Sequence, residues 1–484
     1  MPRQTTSTKR QATRGAELPD LLQGWADRGH GSLANRLAAS LRGLVGAGLL
    51  TPGAKLPAER SLASSLAVSR STVTAALDEL RADGTLESRQ GSGTVVAAFG
   101  AAPVVTGTRV STHFMAVHQG IDLATGNPPD ASHLPPLQLD VMDLVTDGEG
   151  PGTQPLGLPA LRAALAERHS AQGLVTQAEQ IHITSGAHHA TSLSLRAVVP
   201  PGAPVAVEDT SYPGIFDVID ALGGVAVPLA RDRAGVLPES LDEALGRRKA
   251  AAVYLQSGPH NPTGRVTPTS RLRALAEVLD RHRATVLDDV ALDDLTFDRS
   301  PRPRLATLCR AATVVTICSV SKVAWGGFRV GWMRAPASFV EQTMHLRLGF
   351  DLGASVPAQL IVLRLLPHLD DLGATRRATL QATVDRAVAL LAVELPEWEV
   401  DPPQGGSVLW PRTDLPDTGP LVQLAARHGV RVAPGSIARC GREADPHLRV
   451  CVDRPWPHVE EGIRRLRSAW EELHAGPSDA PVLG

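Results

Sequence analysis

Lys322 stands in Cys318-Ser319-Val320-Ser321-Lys322-Val323-Ala324-Trp325-Gly326-Gly327-Phe328-Arg329, directly after a run that reads as a buried strand. Burial disfavours the ammonium form, and a lysine with a lowered pKa is a nucleophile suited to Schiff-base chemistry. Ser319 and Ser321 can hold phosphate oxygens, and Arg329 adds a charge-assisted contact. Alone, such a lysine is more often a snorkelling surface residue. Other segments shift that balance. Ser185-Gly186-Ala187 follows the strand Gln180–Thr184 and opens an apolar helix, which makes a phosphate cradle. Tyr212 follows the strand Val205–Val207 and offers a ring to stack on a planar ligand. Asn261, in His260-Asn261-Pro262-Thr263-Gly264, offers an amide donor to a phenolate oxygen. Asp288, at the end of Thr285-Val286-Leu287, can pair with a protonated ring nitrogen, and the adjacent Asp289 is the alternative. Each of these residues has a bland reading in packing or capping. Together they supply what pyridoxal 5′-phosphate requires, at the strand ends where α/β folds place ligands.

The composition sharpens the choice of lysine. Of 484 residues, 48 are Lys or Arg, but the lysines are only Lys9, Lys55, Lys249 and Lys322, and the tyrosines only Tyr212 and Tyr254. Codon bias in a GC-rich genome accounts for this, and it makes each survivor worth locating. Four cysteines without metal-type spacing exclude a disulfide scaffold and fit a reducing, cytoplasmic compartment. No apolar run approaches the length of a membrane helix. No metal site is expected.

The elements that must position these residues begin near Ile121, where short β-branched runs (180–184, 205–207, 251–255, 284–287, 313–318) alternate with amphipathic helices. That alternation predicts a parallel sheet covered by helices. After about Val356 long helices and few strands predict a smaller α+β subdomain. The expected organisation is a disordered basic tail (1–20), a DNA-binding module (21–98), a linker (99–118), the α/β domain (119–475) and a frayed end (476–484).

The net charge of −2 hides an asymmetry: residues 1–98 carry 12 basic and 8 acidic residues, and the remainder is acidic. A basic front end points to a polyanion partner. Leu33, Leu37, Leu41 and Leu44 mark one helix, Leu62 and Leu66 a second, and Val73, Leu77 and Leu80 a third, capped by Ser69 and closed by Gly84. Thr85–Arg89 and Thr94–Val96 then read as a hairpin with the tip Gln90-Gly91-Ser92-Gly93. Three helices and a wing make a winged helix-turn-helix. Its third helix would enter the major groove with Ser69, Arg70, Ser71 and Thr72 leading, and Arg89 would serve the wing.

The string LPAERSLASSLAVSRSTVTAALDELRADGTLESRQGSGT resembles the DNA-binding domain of the GntR superfamily. That resemblance implies DNA contacts at Arg60, Ser69, Arg70, Ser71, Thr72, Gln90 and Gly91, with Thr74 where some members carry a base. Asn-Pro-Thr-Gly, Ser-Val-Ser-Lys with Arg329, and the Asp288–Lys322 spacing resemble fold-type I pyridoxal-phosphate enzymes of aminotransferase class I/II. By that resemblance Lys322 carries the cofactor, Asp288 holds the pyridinium and Asn261 the phenolate oxygen. Ser185, Gly186, Ala187, Ser319, Ser321 and Arg329 surround the phosphate, and Arg449 grips an α-carboxylate. Two usual tyrosines are missing, with Ala291 and the Gly152–Gly157 turn in their places, which sets efficient transamination against cofactor capture. The two modules together resemble MocR-type regulators, which implies a homodimer on operator DNA, nucleoid-associated when bound, that responds to an amino-compound effector. His188 and His189 are candidate effector contacts. The rivals are a working aminotransferase with an appended DNA-binding head and a cofactor-free repressor.

Overall fold

The computed structural model describes residues 32–46, 54–83, 85–89, 93–97, 120–137, 152–441 and 444–475, together with 18, 22, 25–27, 50, 109–110 and 142. The tail 1–20 apart from residue 18, most of the expected linker, the end 476–484, Gly84, Gln90, Gly91 and the Arg89 side chain lie outside the described residues. The chain divides into two compact units, residues 1–107 and 108–484.

The first unit contains helices α1 (Leu33–Gly46), α2 (Glu59–Ser65) and α3 (Arg70–Ala82), then the antiparallel hairpin β1 (Leu86–Arg89) and β2 (Gly93–Val96). The periodic leucines build its core, where Leu37, Leu41, Leu62, Val73, Leu77 and Leu80 are buried with Leu86 and Val96. Leu33, the first residue of α1, departs from the expected face and is exposed. Ionic clasps fix the helices. Arg42 of α1 reaches Glu79 and Asp83 at 2.9 and 2.6 Å. Arg81 of α3 donates to Thr94 of the wing at 2.9 Å.

In the second unit β3 (Ile121–Asp122) is followed by α4 (Pro159–Ala171), β4 (Ile181–Thr184), α5 (Ala187–Val198), β5 (Pro204–Glu208), α6 (Pro213–Ala221) and β6 (Val225–Leu229). The small hairpin of β7 (Arg231–Asp232) and β8 (Gly235–Val236) leads to α7 (Pro238–Gly246), β9 (Ala252–Leu255), α8 (Thr269–His282) and β10 (Thr285–Asp289). Then come β11 (Thr313–Ser319), β12 (Gly331–Arg334) and α9 (Ala337–Leu348). Seven strands form one sheet in the order β4-β12-β11-β10-β9-β5-β6. The parallel pairings match the expectation, but β12 runs antiparallel to both neighbours. This strand has four residues and returns the chain from the Lys322 loop, so it carries too little pattern to be read in advance. Helices cover both faces of the sheet. Leu287, Tyr254, Val315 and Ile317 pack on α5 and α6, and Val286, Val253, Leu255 and Val314 pack on α7 and α8.

Helices α10 (Val356–Leu365) and α11 (Leu369–Glu394) lead into the C-terminal subdomain. There β13 (Val408–Leu409), β15 (Ala433–Pro434) and β16 (Leu448–Cys451) form a small sheet, with α12 (Gly419–Arg427) and α13 (Trp456–Ala475). β14 (Val430–Arg431) pairs with β3, which ties the segment leading to Gly126 into this subdomain. Its core includes Trp398 and Trp470, edge-on at 5.3 Å. Arg109, within the segment read as linker, is packed into the second unit. It donates to the carbonyls of Ile437 and Cys440, and its guanidinium lies over Phe216.

Candidate functional site

The loop after β11 places Lys322, and its Nζ donates to Gly126 O at 2.8 Å and Asn127 Oδ1 at 2.6 Å. Both acceptors are neutral, and burial brings this amine down to about 8. Lys322 lines one cavity with Asn261, Arg449, Gly126 and Leu292. Asn261 Oδ1 accepts from Arg449 Nε at 3.3 Å, which orients the amide and leaves its NH2 as a donor. Arg449, 3% exposed on β16, also donates to Ala124 O.

The two adjacent aspartates part company here. Successive side chains on a strand face opposite sides. Asp288 lies on the face of Val286, where it accepts from Ser257 N at 3.2 Å and feels Arg302 and Arg304. Burial pushes it up to about 6. Asp289 lies on the face of Leu287 and Tyr254, the side covered by α5, and it is the aspartate that feels Lys322. Its Oδ2 accepts from Tyr254 Oη at 2.7 Å and its Oδ1 from Ala291 N at 3.0 Å. The structure thus turns Asp289 toward Lys322, and Asp288, the residue expected to hold the ring nitrogen, toward Ser257 and Arg302. Ala291 engages Asp289 through its backbone, and Leu292 is the residue that faces the lysine cavity, without a donor.

At the start of α5, Gly186 caps the helix at φ +93°, a conformation open to glycine. A Cβ there would come within 3.0 Å of Arg329 Nη2, and that guanidinium donates to Ser185 O at 2.8 Å. Thus Ser185, Gly186, Ala187 and Arg329 converge on the helix N-terminus, an arrangement suited to an anion. Ser319 and Ser321 are buried and bond to each other at 2.8 Å. Tyr212 caps α6, and its ring passes so close to Gly214 that a Cβ there would meet it at 2.6 Å. Burial and the nearby Asp289 raise its phenol to about 12. His188 stands edge-on to Tyr212 at 6.2 Å. His189 instead accepts from Ser185 N at 3.2 Å and so fixes the phosphate loop.

Sequence reasoning missed Gly126, Asn127, Tyr254 and Leu292. The first acts through a carbonyl, which carries no residue-type signal. Tyr254 could have been found by asking where the second surviving tyrosine sits.

On the N-terminal unit, Ser69 caps α3 by accepting from Thr72 N at 3.1 Å, and its hydroxyl meets those of Ser71 and Thr72 at 2.8 Å. Arg60, Arg70 and Ser71 are exposed around that helix start. Thr74 donates to Glu59 Oε2 at 3.0 Å, and Glu59 also receives Arg81 at 3.3 Å. These bonds hold the Glu59 carboxyl below its usual range. Glu59 is thus the clasp between α2 and α3, another residue the sequence did not single out.

A sheet of this order, with a lysine loop beside β11, a glycine-capped helix facing an arginine, and an aspartate, asparagine and arginine around the amine, defines a pyridoxal-phosphate-binding fold of the aminotransferase kind. The residues present fit that cofactor: an anion cradle at α5, a ring at Tyr212, a carboxylate at Asp289 and an amine at Lys322 that burial disposes to the neutral form. Residues 118–466 match the family model described as aminotransferase class I and II, and the chain belongs to that family. Residues 33–96 match the bacterial regulatory proteins of the gntR family, so the N-terminal unit is a DNA-binding domain of that kind. The chain is 28% identical to the uncharacterized HTH-type transcriptional regulator YdcR of Escherichia coli (strain K12), over 90% of this chain and 98% of that one. It is also 28% identical to the HTH-type pyridoxine biosynthesis transcriptional regulator PdxR of Corynebacterium glutamicum, over 86% and 90%. Among solved structures, LysN, an α-aminoadipate aminotransferase from Thermus thermophilus, superposes with a TM-score of 0.66 at 23% identity, covering 74% of this chain and 93% of that one. A kynurenine aminotransferase from Pyrococcus horikoshii gives 0.67 at 22% identity, over 74% and 92%. These likenesses concern the fold. No helix among the described residues is long and apolar enough to cross a membrane.

Proposed function

We propose that this chain is a cytoplasmic transcription regulator whose grip on operator DNA is set by an amino compound at the Lys322 site. The observation that carries this reading is the presence, in one chain, of the Ser69-capped helix α3 and a cavity that gathers Lys322, Asn261 and Arg449. The similarity to YdcR and PdxR, both HTH-type transcriptional regulators, supports it.

When bound, pyridoxal 5′-phosphate supplies an aldehyde that exchanges covalently between primary amines. Lys322 supplies the resident amine, and its neutral acceptors and burial keep the proton loosely held. The α5 cradle with Arg329 would hold the phosphate, Tyr212 the ring face, Asn261 the phenolic oxygen and Asp289 the ring nitrogen. Arg449 would take the carboxylate of an amino-acid effector. Leu292, which lines the cavity without a donor, favours holding a ligand over turning it over. An effector acts on DNA binding only if it binds two arrangements of the protein with different affinity.

Trp325, Leu348, Phe350 and Leu352 are exposed apolar residues of the second unit, an unusual expense for a monomer surface. A homodimer covering them would bring two DNA-binding units to paired half-sites.

The experiment is operator binding by fluorescence anisotropy, with pyridoxal 5′-phosphate and a panel of amino compounds, on wild type and Lys322→Ala. The reading expects an amine-dependent change that Lys322→Ala removes. Turnover of an amino acid and keto acid pair at ordinary enzyme rates, without any effect on DNA binding, would favour the enzyme reading.

A further inference from the structure

The second unit holds another cavity, of about 560 Å³, within the size range of small-molecule sites. One wall comes from the end of β5 and from β7, the other from the C-terminal subdomain through Trp410 and Arg412. Five arginines line it, and their partners account for most of the charge. Asp401 is shared by Arg265 at 2.7 Å and Arg233 at 3.4 Å. Arg439 pairs with Asp209 at 3.2 Å and with Asp445 at 3.4 Å. Arg412 stands 3.8 Å from Glu399, both exposed. Asp232 is taken by Arg271 at 2.8 Å.

Arg231 is different. Among the described residues no carboxylate lies within ion-pair distance of it, and its polar neighbour is His260 Nδ1 at 3.3 Å. The opposite ring nitrogen of His260 faces Thr210 O at 3.0 Å and Glu208 at 3.4 Å. That nitrogen therefore carries the hydrogen, and Nδ1 is the acceptor for Arg231. A neutral acceptor leaves the guanidinium charge uncompensated. Its Nε is also buried without a partner, so the side chain is held in place at a cost rather than swung into solvent. The stacked pair of Trp410 and His447, 5.1 Å apart, forms a flat wall beside it.

We infer that this cavity binds a small dianion, of the phosphate-monoester or dicarboxylate class, with Arg231 as its principal counter-charge and Arg265 and Arg412 completing the grip. The inference is independent of the reading of the Lys322 site. Because the walls belong to the sheet and to the C-terminal subdomain, the ligand draws the two together.

The test is calorimetric titration of the full-length protein at low ionic strength with inorganic phosphate and, separately, succinate. The α5 cradle also attracts phosphate, so the titration is repeated in Arg329→Gln. The expected result is one dianion site per chain that survives Arg329→Gln and weakens at least about tenfold (~1.4 kcal/mol) on adding Arg231→Gln. Arg231→Lys should recover part of the loss. Arg265→Gln provides a second variant should Arg231→Gln fail to fold. Tighter phosphate than succinate assigns the ester class, and the reverse assigns the dicarboxylate class. Loss of all binding in Arg329→Gln alone, or unchanged affinity in both Arg231→Gln and Arg265→Gln, overturns the proposal.

Discussion

Lys322 has to be a neutral amine to act as a nucleophile, and its surroundings favour that form. Burial removes water from the ammonium and lowers the pKa to about 8, so the neutral fraction rises from about one tenth at pH 7 to about one half at pH 8. Covalent uptake of pyridoxal 5′-phosphate by the cofactor-free protein should therefore speed up about fivefold over that interval and level off above pH 9. Stopped-flow absorbance measures it, and a flat profile from pH 6.5 to 9 would contradict the assignment. The paired aspartates give a second prediction. Asp289→Asn should weaken cofactor affinity about tenfold or more (~1.4 kcal/mol), and Asp288→Asn should change it far less, by equilibrium titration. Lys322, Asn261 and Arg449, which share one cavity, were named together in advance because their motifs resemble those of the aminotransferase family, whereas each residue alone has a commoner reading. The choice between Asp288 and Asp289 was not, because a strand reverses its facing at every residue and the sequence does not mark its end to that accuracy. Tyr254 is the other surviving tyrosine, and its role at Asp289 depends on the pairing of β9 with β10.

At the scale of elements, two helix starts do most of the positioning. Gly186 opens α5 with positive φ and leaves room for Arg329. Gly186→Ala adds a Cβ and backbone strain together, so phosphate-dependent cofactor affinity should fall, while pyridoxal without phosphate is affected much less; equal losses for both would argue against the cradle. Ser69 opens α3, and Ser69→Ala should cost about 1 kcal/mol of stability through the lost cap. Arg70 is exposed at the same end. Arg70→Ala should weaken operator binding and reduce the salt slope by about one counterion. Thr74, which stands where some members of the resembling family carry a basic residue, is turned to Glu59. Thr74→Val should accordingly lower stability and leave the salt slope unchanged. Helices α1 to α3 were readable from leucine spacing, since an apolar stripe at 3.6-residue period has one buried solution. The clasp at Glu59 was not, because an exposed-type residue gives no sign of a partner fifteen residues away.

At the scale of the whole molecule, the exposed apolar set is the feature that a single chain leaves unexplained. Leu348 is 43%, Phe350 62% and Leu352 54% exposed, in and just after α9. Phe350→Glu should convert a dimer into a monomer in light scattering after size exclusion, and it should lower operator affinity because two half-sites are no longer bound together. A variant that stays dimeric would place the interface elsewhere. The division into two units was legible from charge and composition, since the basic front end and the alternating α/β pattern are averages over many residues. The buried anchoring of Arg109 was not, because a local stretch rich in Gly, Pro and Thr reads as linker whatever distant carbonyls await it.

The most direct test of the account is the effect of an effector amine on operator binding in wild type and Lys322→Ala, both supplied with pyridoxal 5′-phosphate. The account predicts an amine-dependent shift in the operator Kd for wild type and none for Lys322→Ala, with the two proteins binding DNA alike without amine. An equal shift in both proteins would contradict it.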